Sequence, residues 1–197
     1  GRVMRAAVGI KAWIAKMPCV DEVRPAQCAG CGAASRPVGA GLVIHGHGLL
    51  ERQVRGLLAV DDRPGVIVVR VRRYACQLCR AVMTVVPAGM LARRQYSGPS
   101  IALALYLWLL EGLSDRGVRA RVCAWQLRGY NDRGWAQLYR WARRAASLFV
   151  LPRAVTALSD SHETARHVLA LLRALAPADL SSAPIGLQIF EGAALTR

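Results

Sequence analysis

Apolar residues recur at helical spacing over residues 3–17, at Val3, Ala6, Ala7, Ile10, Ile14 and Met17. Pro18 stops the run, so an N-terminal helix is expected within residues 1–18. Residues 18–40 are rich in Pro and Gly and carry no period. Leu42-Val43-Ile44 and the stretch from Leu49 to Leu58 then read as a strand or hairpin, and Asp61-Asp62-Arg63-Pro64-Gly65 reads as a turn. From Gly65 to Tyr74 the period is two, with Val66, Val68 and Arg70 on one face and Ile67, Val69 and Val71 on the other. A short strand follows from Ala81 to Val86.

At residue 97 the pattern turns helical. Ser97-Gly98-Pro99 is a start signal for a helix running to about Gly112, and Ser114-Asp115 caps a second over 114–126. A turn over 127–131 containing Gly129 leads to a third helix, from about Asp132 to Phe149. A last helix spans 160–176, with Ser159, Asp160 and His162 read as its cap rather than as a catalytic group. The fold class expected is therefore α+β: a domain of short antiparallel strands over 19–96, an all-helical helix-turn-helix domain over 97–151 and a helical tail over 152–197. The longest apolar run, Ile101 to Leu110, ends at Glu111 and is too short to cross a bilayer, so no membrane partner is expected.

Charge changes the picture. The 197 residues carry 27 basic and 12 acidic side chains, a net +15, and the only lysines are Lys11 and Lys16. Arginine is permanently charged and grips phosphate with a fork of donors, so a polyanionic partner is expected. Residues 1–100 hold 15 basic and 5 acidic groups and residues 101–150 hold 8 and 3, whereas residues 151–197 hold 4 of each. The polyanion should meet the first 150 residues. The tail must pack its stripe of Val168, Leu169, Leu171, Leu172 and Leu175 on its own chain, on a second copy or on a partner. A hydrophobic content of 54% excludes a mainly disordered chain.

The cysteines add chemistry. Cys28 and Cys31, then Cys76 and Cys79, form two pairs of the same two-residue spacing. The N-terminal stretch mixes charged with apolar residues and has no secretory character. The expected compartment is cytoplasmic, where disulfides are rare, so the four cysteines read as a tetrahedral Zn²⁺ site. The gap between the pairs exceeds the usual ribbon spacing, and strands are expected to fill it. Cys19 and Cys123 read as plain thiols. His45 and His47 alternate on a strand, so both point to one side and read as strand surface or phosphate contacts rather than ligands, and Trp108, Trp125, Trp135 and Trp141 read as core.

The third helix carries the candidate reading face. Arg133, Gln137, Arg140 and Arg144 are spaced four, three and four residues apart, while Leu138, Ala142, Ala145 and Phe149 form an apolar face. This suits the second helix of a helix-turn-helix lying in a DNA major groove; a solvated arginine-rich surface helix is the alternative. Arg70, Arg72 and Arg73 lead into the second cysteine pair and are candidate phosphate contacts. RNA stays open as a second polyanion.

Several segments also resemble a known arrangement: Cys28-x-x-Cys31-Gly32, His45-Gly46-His47-Gly48-x-x-x-Arg52, Val71-Arg72-Arg73-Tyr74-x-Cys76-x-x-Cys79, Thr84-Val85-Val86-Pro87 and Arg93-Arg94-x-Tyr96-Ser97. They resemble the zinc-ribbon region of bacterial insertion-sequence transposases and, more closely, small transposase-like proteins of bacterial mobile elements. Gly112-Leu113-Ser114 and Leu138-Tyr139-Arg140-Trp141 resemble the helix-turn-helix that follows, so the likeness covers about residues 24–147. It implies metal-stabilised binding of double-stranded DNA, with Arg93 and Arg94 among the contacts. Catalysis is not expected: transposase chemistry needs a separate domain with three metal-binding carboxylates, and the only carboxylates beyond residue 150 are Asp160, Glu163, Asp179 and Glu191, in too little chain for such a fold. The expected function is an accessory or regulatory DNA-binding protein of a mobile element. The alternative is a zinc-stabilised adaptor docking on a recombinase or transposase through its neutral C-terminal helix.

Overall fold

The computed structural model describes residues 2–125, 135–149, 151 and 159–196. The chain is α+β, with a four-stranded mixed sheet followed by helices. The strands are β1 (Arg2–Gly9), β2 (Ile44–Gly56), β3 (Gly65–Cys76) and β4 (Val82–Ala88), in the spatial order β1-β4-β3-β2.

β1 corrects the helix expected over residues 3–17. Its residues run parallel to β4, with Val3 opposite Thr84 and Met4 opposite Val85. The sheet edge offers backbone partners along its whole length, and Gly9 weakens a continuous helix at its midpoint. Only α1 (Ile10–Ala15) remains helical, burying Ile10 and Trp13; the Trp13 indole N–H donates to the Arg70 carbonyl at 2.9 Å.

β2 and β3 span 13 and 12 residues, so the hairpin is long where short strands were expected. β3 alternates as its sequence demands: Val66, Val68 and Arg70 are exposed while Val69 and Val71 are buried. Near its end the outer face is covered too. The Tyr74 hydroxyl donates to the Val20 carbonyl at 2.7 Å and Arg72 Nε donates to the Pro18 carbonyl at 2.6 Å, so the segment after α1 folds over this end of the strand.

Among the described residues five α-helices follow: α2 (Gly98–Leu109), α3 (Asp115–Val122), α4 (Ala136–Leu148), α5 (Ser161–Ala174) and α6 (Ile185–Leu195). Ser97, Ser114 and Asp160 cap α2, α3 and α5, each accepting from a backbone N–H in the first turn. The turn expected over 127–131 and the residues just after it lie outside the described residues. α3 and α4 both pack against α2. The tail's stripe is buried within its own chain: Val168, Leu169 and Leu172 share one core with Ile101, Leu105 and Leu138.

α6 was not expected from the sequence, because Gly186 and Gly192 interrupt its helical signal. Packing explains both. A Cβ on Gly192 would lie 1.8 Å from the Leu172 carbonyl oxygen, so α6 crosses the end of α5 at a distance that only glycine permits. Between them, Gln188 is buried and satisfied, accepting from Arg173 Nε at 2.8 Å and donating to the Ala183 carbonyl at 2.7 Å.

A second core lies in the sheet, around Trp13, Val71, Tyr74 and Met83. The hairpin joins the two. Beyond Gly56, Leu57 enters the helical core and its N–H donates to Ser100 Oγ at 2.8 Å. The Arg121 guanidinium of α3 donates to the carbonyls of Val60 and Asp62 at the hairpin tip.

Candidate metal centre and nucleic-acid interface

The two cysteine pairs are built alike. In the first turn the Cys28 N–H donates to the Ala33 carbonyl at 2.8 Å and the Gly32 N–H donates to the Cys28 carbonyl at 2.9 Å. In the second, the Cys76 N–H donates to the Ala81 carbonyl and the Arg80 N–H to the Cys76 carbonyl, both at 3.0 Å. β3 delivers Cys76 at its last residue, and the antiparallel bridge between Gln27 and Ala34 closes the first turn.

The turns face one another. Cys28 Sγ lies 3.6 Å from Cys79 Sγ and Cys31 Sγ lies 3.8 Å from Cys76 Sγ. All four sulfurs fall within 4.8 Å of each other. Tetrahedral coordination at about 2.3 Å per sulfur puts sulfurs about 3.8 Å apart, so the cluster fits one metal ion. Gly30 is packed into it: a Cβ there would lie 2.9 Å from Ala81 Cβ and 3.0 Å from Cys79 Sγ.

The thiols are unequal. The N–H groups of Cys31 and Gly30 aimed at Cys28 Sγ bring that thiol down to about 6. Cys79 is pushed up to about 11: the Ala81 N–H pulls it down, but desolvation and the three neighbouring sulfurs outweigh it. Four thiolates this close repel one another, and a divalent cation removes that penalty. Cys19 and Cys123 stand apart, the latter accepting from the Tyr96 hydroxyl at 3.0 Å. A register shift between Gly46 and Leu49 breaks the alternation expected of the two histidines. His45 is half-buried with Nε2 2.7 Å from the Leu42 carbonyl oxygen, and His47 is exposed.

A second constellation lies on the helical side. Arg93 and Arg94 sit on the loop between β4 and α2, and Gln137, Arg140 and Arg144 sit on one face of α4. Arg94, Gln137, Arg140 and Arg144 line one cleft, with Trp141 beneath. An adjoining cleft of about 360 Å³ adds Arg55 and Arg93 to Arg94 and Gln137. Tyr96, Trp135 and Trp141 form an edge-to-face cluster, with Tyr96 and Trp141 centroids 5.0 Å apart and Trp135 and Trp141 5.1 Å apart. Trp141 is buried, as expected of a core residue, whereas Trp125 is half-exposed.

Five of the nine arginine and glutamine positions expected to contact DNA therefore meet in one concave surface. Arg70, Arg72 and Arg73 do not line it: Arg70 is exposed on the sheet, Arg72 is bonded to Pro18 and Arg73 is half-buried opposite Thr84. Arg133 lies outside the described residues. Two basic residues were missed. Arg143, exposed beside Arg140 and Arg144, was legible from helical spacing. Arg55 carries no local signal, because only the pairing of β2 with residues 95–97 brings it to the groove.

No family model, curated protein or solved structure matches the chain, so the transposase resemblance stands on the sequence motifs alone. Among the described residues, no helix is long and apolar enough to cross a membrane.

Proposed function

We propose that this chain is a double-stranded DNA-binding protein held together by a structural Zn²⁺ ion, acting as an accessory or regulatory factor of a mobile genetic element. The observation that carries the DNA reading is the convergence of Arg93 and Arg94 with Gln137, Arg140 and Arg144, from two segments more than forty residues apart, on one basic groove. α4 would enter the major groove with Gln137 and Arg140 at base edges, while Arg93, Arg94 and Arg144 meet flanking phosphates.

Four cysteines suit zinc because soft thiolates in tetrahedral array are its preferred structural ligands. Cys28, Cys31, Cys76 and Cys79 would hold it, and the ion would supply folding energy rather than chemistry. The mobile-element setting rests on the motif resemblance. The adaptor reading is weaker, because the apolar stripe of α5 that it would present to a partner is packed in the helical core.

The test is fluorescence anisotropy of the full chain on a labelled duplex across a salt series. Arg93, Arg94 and Arg144 together predict a log–log slope of about −2.7, from about −0.9 per phosphate neutralised. A flat response, or tighter binding to single-stranded RNA than to any duplex, would overturn the reading.

A further inference from the structure

We propose that the cleft floored by Arg55 is a binding site for one phosphate group, held between Arg55 on β2 and Arg93 and Arg94 on the loop before α2. It shares the groove of the DNA reading and rests on that reading only for the source of the phosphate.

Arg55 Nε is buried without a hydrogen-bond partner among the described residues. A buried donor left unpaired is costly, and a charged one more so. The Arg55 guanidinium carbon lies 5.9 Å from the Trp125 ring centroid, which supports the side chain from one side but satisfies no N–H. Its backbone is fixed: the Arg55 N–H donates to the Gln95 carbonyl at 2.7 Å, and the Ser97 N–H donates to the Arg55 carbonyl at 3.2 Å. The same pairing sets Arg93 and Arg94 beside it.

Arg93 adds a second observation. Its φ is 56°, in the left-handed region that non-glycine residues avoid. A β-turn accounts for it: the Arg94 N–H donates to the Leu91 carbonyl at 3.3 Å, and Arg93 at the third position of that turn lines the cleft.

Charge completes the case. Three arginines line the cleft and, among the described residues, no carboxylate does. Guanidinium groups gathered without a counter-charge repel one another. A tetrahedral oxyanion accepts from several at once.

The test uses the full zinc-loaded chain and inorganic phosphate. Thermal unfolding is followed in phosphate and in chloride at equal ionic strength, and phosphate affinity is taken from the midpoint shift. Phosphate should stabilise the protein beyond chloride. Arg55→Gln and Arg94→Gln should each weaken that affinity about tenfold, as expected for losing one charged hydrogen-bonding partner, and Arg70→Gln should leave it unchanged. Arg94 lies on a loop, so its variant keeps the test valid if Arg55→Gln fails to fold. Equal midpoints in phosphate and chloride, or a wild-type response in Arg94→Gln, would overturn the proposal.

Competition names the source. A duplex that displaces phosphate identifies a nucleic-acid backbone as its origin; a duplex that binds alongside it identifies a phosphorylated small molecule. A phosphate response without duplex binding would remove the DNA reading and leave this site standing. Duplex binding without a phosphate response would do the reverse.

Discussion

Gly32 and Arg80 occupy equivalent positions in the two cysteine turns. Each follows the second cysteine of its pair, each has a left-handed backbone, with φ 75° and 61°, and each donates its N–H to the carbonyl of the first cysteine. The turn geometry dictates this conformation, and glycine meets it without steric cost while arginine does not. Arg80→Gly should therefore leave the metal-loaded protein as stable as wild type or about 1 kcal/mol more stable, and Gly32→Ala should destabilise it by about 1 kcal/mol. Chemical denaturation of the zinc-loaded chain reads both.

Metal analysis of protein purified without chelator should find one zinc per chain. Cys76→Ser should lose it and with it the cooperative unfolding of the sheet, because Cys76 is both one of the four clustered thiols and the last residue of β3. Gly30→Ala should weaken zinc retention through its clash with Ala81 and Cys79. Affinity should fall as pH falls. A thiol such as Cys79, pushed up to about 11, enters the site only by giving up its proton, and acid opposes that release. Zinc release followed with a chromogenic chelator across pH 5–8 measures the sign; constant affinity would contradict thiolate ligation.

Base reading and backbone contact separate on α4. Gln137→Ala and Arg140→Ala should lower preference for a cognate duplex by about 1–3 kcal/mol, whereas Arg94→Ala and Arg144→Ala should weaken all duplexes alike. Competition between cognate and scrambled duplexes distinguishes the two. Equal losses for all four variants would make α4 a backbone clamp.

Arg72 was expected to contact phosphate, but its Nε is engaged by the Pro18 carbonyl. Arg72→Gln should thus lower stability by about 1 kcal/mol and leave the salt dependence of DNA binding unchanged. A slope reduced by about 0.9 would instead return Arg72 to the interface.

Gly192→Ala is the sharpest test of the helical half. The added methyl would sit on the Leu172 carbonyl, which is backbone and cannot rotate away, so α6 must lift from α5. A loss of about 3 kcal/mol is expected, at the overpacking extreme, against about 2–5 kcal/mol for the cavity left by Leu138→Ala.

From residue 41 onward the order of strands then helices, with the caps at Ser97, Ser114 and Asp160, the alternation of β3 and the gathering of the four cysteines, was legible in the sequence. Each is written in local spacing, through a period, a cap residue or a ligand pair. What escaped was non-local. Residues 2–9 have apolar spacing that serves a helix or a strand, and the free edge of β4 decided between them. α6 hides behind two glycines that weaken a helix in isolation and permit it only against α5 and α2. Helical spacing placed Gln137, Arg140 and Arg144 on one face, but it could not show that Arg94 lies across the same cleft or that Arg55 arrives from the sheet. Those contacts follow from how β2 pairs with residues 95–97 and how α4 packs on α2, and such pairings depend on which surfaces bury together, a quantity that no single segment carries.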